Sequence, residues 1–129
     1  MANGDGLARV ISGCEPHPGE VLLRRPGVSI FSHPEMEPLL AEAEADGAPV
    51  VMAGFCAPMS LSASLFDAQD RSRPLALLDE ACGGADIGRW SAAQTRAMCM
   101  DTAAKLGRLA HLGAFSALQA GPSNVVRLA

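Results

Sequence analysis

Residues 90–121 read WSAAQTRAMCMDTAAKLGRLAHLGAFSALQAG and form the longest periodic stretch of the chain. Ser91 followed three residues later by Gln94 has the spacing of a capping box, in which each side chain binds a backbone N–H that the first helical turn leaves free. Gly121 followed by Pro122 is typical of a helix end, because glycine adopts the left-handed conformation and proline cannot continue the helical hydrogen bonding. The pattern predicts one long helix around which the other elements are organised.

One face of this predicted helix is rich in small residues at three- and four-residue spacing. Small side chains let another backbone approach closely, so we expect a docking seam that packs either inside its own domain or against a second chain. Glycine in a helix interior costs about 1 kcal/mol relative to alanine, so a break near Gly113 would divide the stretch into two helices. The seam consists of Ala103, Gly107, Ala110, Ala114 and Ala117.

The composition predicts one domain with a single hydrophobic core, since the chain has 129 residues of which 49% are hydrophobic. We expect a loose lead-in over residues 1–19 and a short tail over residues 123–129. The net charge of −4 disfavours nucleic-acid binding, which depends on Lys and Arg neutralising phosphates. Neither a signal peptide nor a membrane span is predicted, so we expect a cytoplasmic protein with reduced cysteines.

Acidic residues are concentrated ahead of most of the basic ones. The first interpretation is a solvated acidic helix face. The second is complementary docking, either between copies of the chain or onto a basic partner. The acidic group consists of Glu35, Glu37, Glu42, Glu44 and Asp46, and the basic residues become frequent from Arg71 onward.

Four segments have strand-like patterns. Residues 20–25 and 28–31 flank Pro26-Gly27, the pair that a type II turn requires, and predict a β-hairpin. Residues 49–55 are an unbroken apolar run and predict a central strand buried on both faces. Residues 60–65 alternate serine with Leu or Ala, which is the period-two pattern of a half-buried strand.

Two further helices complete the predicted order of elements. Ser32 and Glu35 repeat the capping-box spacing and predict a helix over 34–46 that ends at Gly47, and Pro74 suits the first position of a short helix through Ala81. Hairpins alternating with helices indicate the α+β class. We expect a small, mostly antiparallel sheet of about four strands with helices on one face, including the long Ala-rich C-terminal helix.

Two sets of residues are weak candidates for chemistry. Cys56 follows the predicted central strand, where many folds expose a nucleophile, and His33 is the one candidate for its general base. The alternative is that Cys56 is a small buried hydrophobe. Cys14 and His17 form half of a zinc-binding knuckle without a second pair, so we expect no bound metal and no cofactor.

These patterns favour a non-catalytic subunit over an enzyme. The leading hypothesis is a regulatory or assembly subunit that acts by protein–protein interaction, either self-association or partner docking through the Ala-rich C-terminal helix. The alternative is a small enzyme or ligand-sensing domain with a pocket near Cys56 and His33.

Overall fold

The computed structural model describes residues 12–114 and 126–128, which combine helices and strands in a small α+β fold. A 3-10 turn (Ile30–Ser32) precedes the first helix, and a single π-helical turn (Ala57–Leu61) leads directly into the second. No helix in this part of the chain is long and apolar enough to cross a membrane. In chain order the elements are β1 (Val21–Leu23), α1 (Met36–Ala45), β2 (Val51–Gly54), α2 (Ser62–Asp70), β3 (Ala76–Cys82), α3 (Ala92–Lys105), β4 (Leu109–Ala110) and β5 (Val126–Leu128).

The main sheet has three parallel strands in the order β2-β3-β4, so the prediction of a mostly antiparallel sheet with about four strands is wrong. Parallel strands cannot be joined by tight hairpins and need a crossover connection, which α2 and α3 provide here. The strand predicted over 49–55 is confirmed as β2, but β2 lies at the edge of the described sheet. The central strand is β3.

The predicted hairpin around Pro26-Gly27 is also wrong. β1 lies within its first arm, but the second arm forms a bend followed by the 3-10 turn. β1 pairs in parallel with β5, with Val21 opposite Val126 and Leu23 opposite Leu128. The tail over 123–129 was expected to have no element to join, and in the structure Val126–Leu128 forms this strand.

Residues 60–65, predicted as a strand, lie in the π-helical turn and α2. The Leu61 and Leu65 side chains are buried, and Ala68 is buried on the next turn. These three positions have i, i+4 and i+7 spacing, which places them on one side of a helix. The alternation within 60–65 fits one side of a strand equally well. The alternation was too short to distinguish the two structures.

The short helix predicted over 74–81 is in fact the central strand β3. Leu75, Leu77 and Leu78 are all buried there. A central parallel strand contacts other residues on both faces and reads as a continuous apolar run. The Leu- and Ala-rich composition has high helix propensity, but burial between two strands overrides that preference.

The long helix predicted over 90–121 is wrong in length, although its start is confirmed. Ser91 and Gln94 form the expected capping box at the beginning of α3. The helix ends after 14 residues because Gly107 has a φ of +68°. The Arg108 N–H donates to Ala103 O at 2.7 Å and the Gly107 N–H to Ala104 O at 3.0 Å, which completes a Schellman motif. The chain then forms β4, and helical structure resumes at residues 112–114.

The helix predicted over 34–46 is confirmed as α1, and it ends at Gly47, whose φ is +67°. The predicted capping box of Ser32 and Glu35 is absent. Glu35 is the N-cap residue and makes no side-chain capping bond, whereas the Ser32 hydroxyl donates to Ser29 O at 2.6 Å. The serine is used by the preceding 3-10 turn and is not available to α1.

Two hydrophobic clusters share the helix-bearing side of the sheet. The first lies between the π-helical turn, α2, β3 and α3, and the second lies between the 3-10 turn, α1 and the end of α2. Met52 of β2 packs against both, so the clusters meet above this strand. The first contains Leu61, Leu65, Leu77, Cys82, Cys99, Met100 and Ala103, and the second contains Ile30, Phe31, Met36, Leu40, Ala68 and Leu75.

Arg108 ties the amino-terminal end of β3 to the turn before β4. Its guanidinium donates to Leu75 O at 3.0 Å and Gln69 Oε1 at 2.7 Å, and also to Arg73 O. Arg108 lies beyond the end of α3, and its side chain adds hydrogen bonds to the loop between α2 and β3.

We expect Arg108→Lys to lower the free energy of unfolding by about 1–3 kcal/mol, because an ammonium cannot reach the several acceptors that the guanidinium joins. Urea denaturation measures the change. The control is Arg89→Lys, since Arg89 is exposed and lies over the Trp90 ring. Equal stability losses in the two variants would contradict a special role for Arg108.

Candidate functional site

The carboxyl ends of β2 and β3 lie side by side and open into a cleft. The Gly83 N–H donates to Gly54 O at 2.8 Å, and the Ala57 N–H donates to Gly83 O at 3.0 Å, which joins the two ends to the π-helical turn. In parallel sheets this edge is where ligands usually bind. The open cleft, of about 420 Å³, is lined by Ala53, Gly54, Phe55, Glu80, Ala81, Cys82 and Gly83.

Large apolar side chains are exposed around this edge. Phe55 is 81% exposed and Met98 of α3 is 75% exposed. Phe55, Met59, Ile87 and Trp90 lie in or next to the two connections that leave β2 and β3, whereas Met98 lies in the middle of α3. We call the set the carboxyl-end surface, and it consists of Phe55, Met59, Ile87, Trp90 and Met98.

The structure does not bring Cys56 and His33 together. Cys56 is half-buried at the start of the π-helical turn, as expected for a residue that follows a strand. His33 ends the 3-10 turn, and its Nδ1 accepts the Glu35 N–H at 3.1 Å. Among the described residues no hydrogen bond joins the two side chains, and one ring nitrogen of His33 is used by the turn before α1.

Cys14 and His17 lie in an exposed loop. The loop is closed by a turn in which the Glu20 N–H donates to His17 O at 3.0 Å and the His17 N–H donates to Glu20 Oε2 at 2.9 Å. Among the residues for which coordinates are described, no group of three or more His, Cys, Asp or Glu is arranged to hold a metal ion. Cys14 and His17 therefore gain no further ligand from the described part of the fold.

The five residues of the Ala-rich seam do not share one helix face. Ala103 is fully buried in the first hydrophobic cluster, and Gly107 ends α3. Ala110 belongs to β4, and Ala114 lies in the helical residues that follow. Ala117 lies outside the described residues. Any interface at these positions would therefore involve several elements.

Part of the acidic group is paired within the chain. Glu37 of α1 bonds Arg71 at 3.0 Å and Arg73 at 2.7 Å, and Glu44 bonds Arg73 at 3.0 Å. The hydrogen bond from Arg71 lowers the pKa of Glu37 below its usual value. These ion pairs join α1 to the turn after α2 within one molecule, and docking between copies or onto a basic partner stays a prediction.

The two buried cysteines are unsuited to nucleophilic chemistry. Burial raises the pKa of Cys82 to about 11, and it also raises the pKa of Cys99. The Cys99 sulfur accepts a hydrogen bond from the Ser62 hydroxyl at 3.4 Å, and both cysteines belong to the first cluster. A thiol that stays protonated is a weak nucleophile, so both cysteines act as small apolar core residues.

Glu80 provides the charge at the cleft. Its Oε2 accepts the Leu112 N–H at 3.0 Å, and its Oε1 lies 3.4 Å from His111 Nδ1. Its own backbone N–H and that of Leu112 lower the pKa of this carboxyl group. The neighbouring Asp79 pairs with Arg96 of α3. The cleft therefore combines an ionised carboxylate with an exposed aromatic ring.

The carboxyl-end surface is not evident from the sequence. Phe55, Trp90 and Met98 are ordinary apolar residues in the sequence, and only the fold shows that they are excluded from the core. A signal was nevertheless present in residues 55 and 56, since an aromatic residue and a cysteine directly follow the strand that was predicted and found as β2. Glu80 was placed in the misassigned helix, so its position beside the cleft could not be derived.

No family model, no curated protein and no solved structure matches this chain. The carboxyl-end surface and the residues that line the adjoining cleft are therefore the features from which a function can be inferred.

Proposed function

We propose that this protein is a non-catalytic binding subunit with a regulatory or assembly role. It acts through protein–protein interaction, by self-association or by docking onto a partner. The carboxyl-end surface is the contact region, in place of the single helix face that the sequence suggested.

The exposure of Phe55 and Met98 carries this proposal. Both are more exposed than any other large apolar residue that the structure describes. Aromatic residues and methionine are enriched at the centres of protein interfaces. Exposed apolar groups that gather at one edge of a fold mark interaction sites more often than single scattered ones do.

The rigidity of the region supports the same proposal. The ends of β2 and β3 are joined by backbone hydrogen bonds, and α3 is fixed to β3 by Arg96, which donates to Cys82 O at 2.9 Å. A surface held by the sheet and its flanking helices loses little conformational freedom on binding, which favours affinity. The contact residues therefore present a preformed shape to a partner.

We expect a double substitution, Phe55→Ser with Met98→Ser, to weaken association at least about tenfold, because truncating interface anchors commonly costs more than 1 kcal/mol each. Sedimentation of the purified protein measures self-association, and sedimentation of its native complex measures partner docking. Circular dichroism establishes that the variant is folded.

The matched control is Phe66→Ser, because Phe66 is also an exposed aromatic residue but lies on α2. Association that is unchanged by the double substitution, or that is reduced equally by the control, would contradict the proposal.

One observation favours a second candidate, a small enzyme or ligand-sensing domain. Cys56 is half-buried at the strand-to-helix junction beside the cleft. In this case Cys56 would react rapidly with a thiol reagent near neutral pH, as a thiolate does. The experiment is thiol titration of the native protein compared with Cys56→Ser. Reaction no faster than that of the exposed Cys14 would argue against this candidate.

A further inference from the structure

We propose that the cleft beside β2 and β3 receives an arginine or lysine side chain of a different partner protein, held between the Phe55 ring and the Glu80 carboxylate. This inference rests on the proposed function and specifies the chemistry of the partner. It follows from the ring, the carboxylate and the distribution of charge around them.

Phe55 offers an aromatic ring to a cation. A Cβ placed on Gly83 would lie 3.3 Å from Phe55 Cδ1, so the ring rests against the bare backbone of this glycine while 81% of the residue stays exposed. A cation within about 6 Å of a ring centroid is attracted by the negative face of the ring. The ring therefore packs against Gly83 on one side and is accessible to solvent elsewhere.

The chain already uses this contact at two other rings. The Arg71 guanidinium carbon lies 4.8 Å from the centre of the Phe31 ring, and that of Arg89 lies 5.3 Å from the centre of the Trp90 ring. Among the side chains that the structure describes, which belong to residues 12–114, no cation lies over the Phe55 ring. The Phe55 ring is thus an exposed aromatic ring without a cation partner among the described side chains.

Glu80 supplies a carboxylate that has no arginine or lysine partner among the described side chains. Glu37 and Glu44 have arginine partners, whereas the described partners of the Glu80 carboxylate are the Leu112 N–H and His111. Its side chain is about half exposed, and each carboxylate oxygen retains a free lone pair. A guanidinium or ammonium group matches this remaining acceptor capacity.

The two groups belong to one site because both line the same cleft. The rest of the lining, including Gly54, Ala81 and Gly83, is small and apolar, which suits the methylene stem of a long basic side chain. An acidic partner group would be repelled by Glu80, and a purely apolar one would cover an ionised carboxylate. The combination therefore selects a basic side chain.

The test uses N-acetyl-arginine amide as the probe and N-acetyl-citrulline amide as its uncharged equivalent, with amide NMR spectra of the full chain. We expect arginine to produce saturable shifts at Gly54 and Gly83 and citrulline to produce weaker ones. Phe55→Leu should weaken binding about two- to fivefold, the range typical of an exposed cation–π contact. Glu80→Gln should weaken it at least as much, while glutamine retains an acceptor for the Leu112 N–H.

The controls are Phe66→Leu and Glu42→Gln, which remove an exposed ring and an exposed charge away from the cleft. Equal weakening by Glu42→Gln would show general attraction to a negatively charged chain and would overturn the inference. Equal binding of citrulline, or shifts confined to α1, would do the same. If arginine does not bind but the Phe55 and Met98 substitutions still disrupt association, the proposed function stands and only the basic partner group is rejected.

If the protein alone is a dimer that Glu80→Gln dissociates, the basic side chain comes from a second copy, and the inference of a different partner protein is overturned.

Discussion

Leu65→Ala is expected to lower the free energy of unfolding by about 2–5 kcal/mol, the range for removing a large aliphatic side chain from a packed core. Leu65 is fully buried in the first hydrophobic cluster, which joins the π-helical turn, α2, β3 and α3. The loss combines the transfer of apolar atoms with the cavity that remains. Denaturation in urea measures it, provided that the slope of the transition is unchanged.

The neighbouring residue provides the control. Phe66 is larger than Leu65 but 51% exposed, so Phe66→Ala should change stability much less. If the two substitutions had equal effects, the orientation of α2 over the sheet would be wrong.

Gly84→Ala is expected to destabilise the fold by about 3 kcal/mol or more, at the upper end of overpacking effects, because the added methyl group meets rigid backbone. A Cβ at Gly84 would lie 1.8 Å from Ala92 O and 2.8 Å from Thr95 Oγ1. The Thr95 hydroxyl donates to Ala85 O at 2.9 Å, so this close contact fixes the first turn of α3 to the end of β3. A thermal melt followed by circular dichroism measures the loss.

Gly113→Ala isolates the effect of the added methyl group. A Cβ at Gly113 would meet no atom of the described residues within 4 Å, and the φ of Gly113 is not in the left-handed region. Alanine also favours a helix over glycine by about 1 kcal/mol, so this variant should be neutral or slightly more stable. Similar destabilisation by both substitutions would show that the approach of α3 to Gly84 is not close.

The helix boundaries that depend on local chemistry were predictable from the sequence. Ser91 with Gln94 and Gly47 act within a single turn, so their roles depend little on the rest of the fold. Gly107 was equally informative, but the apolar periodicity on either side of it favoured one continuous helix, and the break was expected near Gly113. In the structure Gly107 adopts the left-handed conformation and ends α3, although the apolar periodicity continues beyond it.

The sheet could not be derived because the pattern of its central strand is not specific. Buried parallel strands and buried helices are both short apolar runs, so Leu75 to Leu78 fit either structure. With β3 read as a helix and α2 as a strand, the order of elements indicated hairpins. Two reversed assignments therefore changed a parallel sheet into an antiparallel one, while the α+β class remained correct.

The candidate site depended on that topology. Phe55 and Glu80 are far apart in sequence, and they line one cleft only because β2 and β3 run in the same direction. Cys56 was placed correctly at the end of a strand, since this requires only the strand itself. To predict whether His33 lies near Cys56, the position of the 3-10 turn relative to β2 must be known. No local sequence pattern gives that position.

The pairing of β1 with β5 affects the order in which parts of the chain fold during synthesis. Val21 lies opposite Val126, a separation of 126 − 21 = 105 residues. During translation β1 leaves the ribosome long before its partner strand exists, whereas the units β2-α2-β3 and β3-α3-β4 can form as they emerge. Until β5 is made, the backbone groups of β1 that will pair with it are hydrated. The contacts between β1 and β5 are non-local and form slowly, because a long loop must close first. A stalled or truncated chain would retain the three-stranded sheet and expose Val21–Leu23 as a strand without its partner.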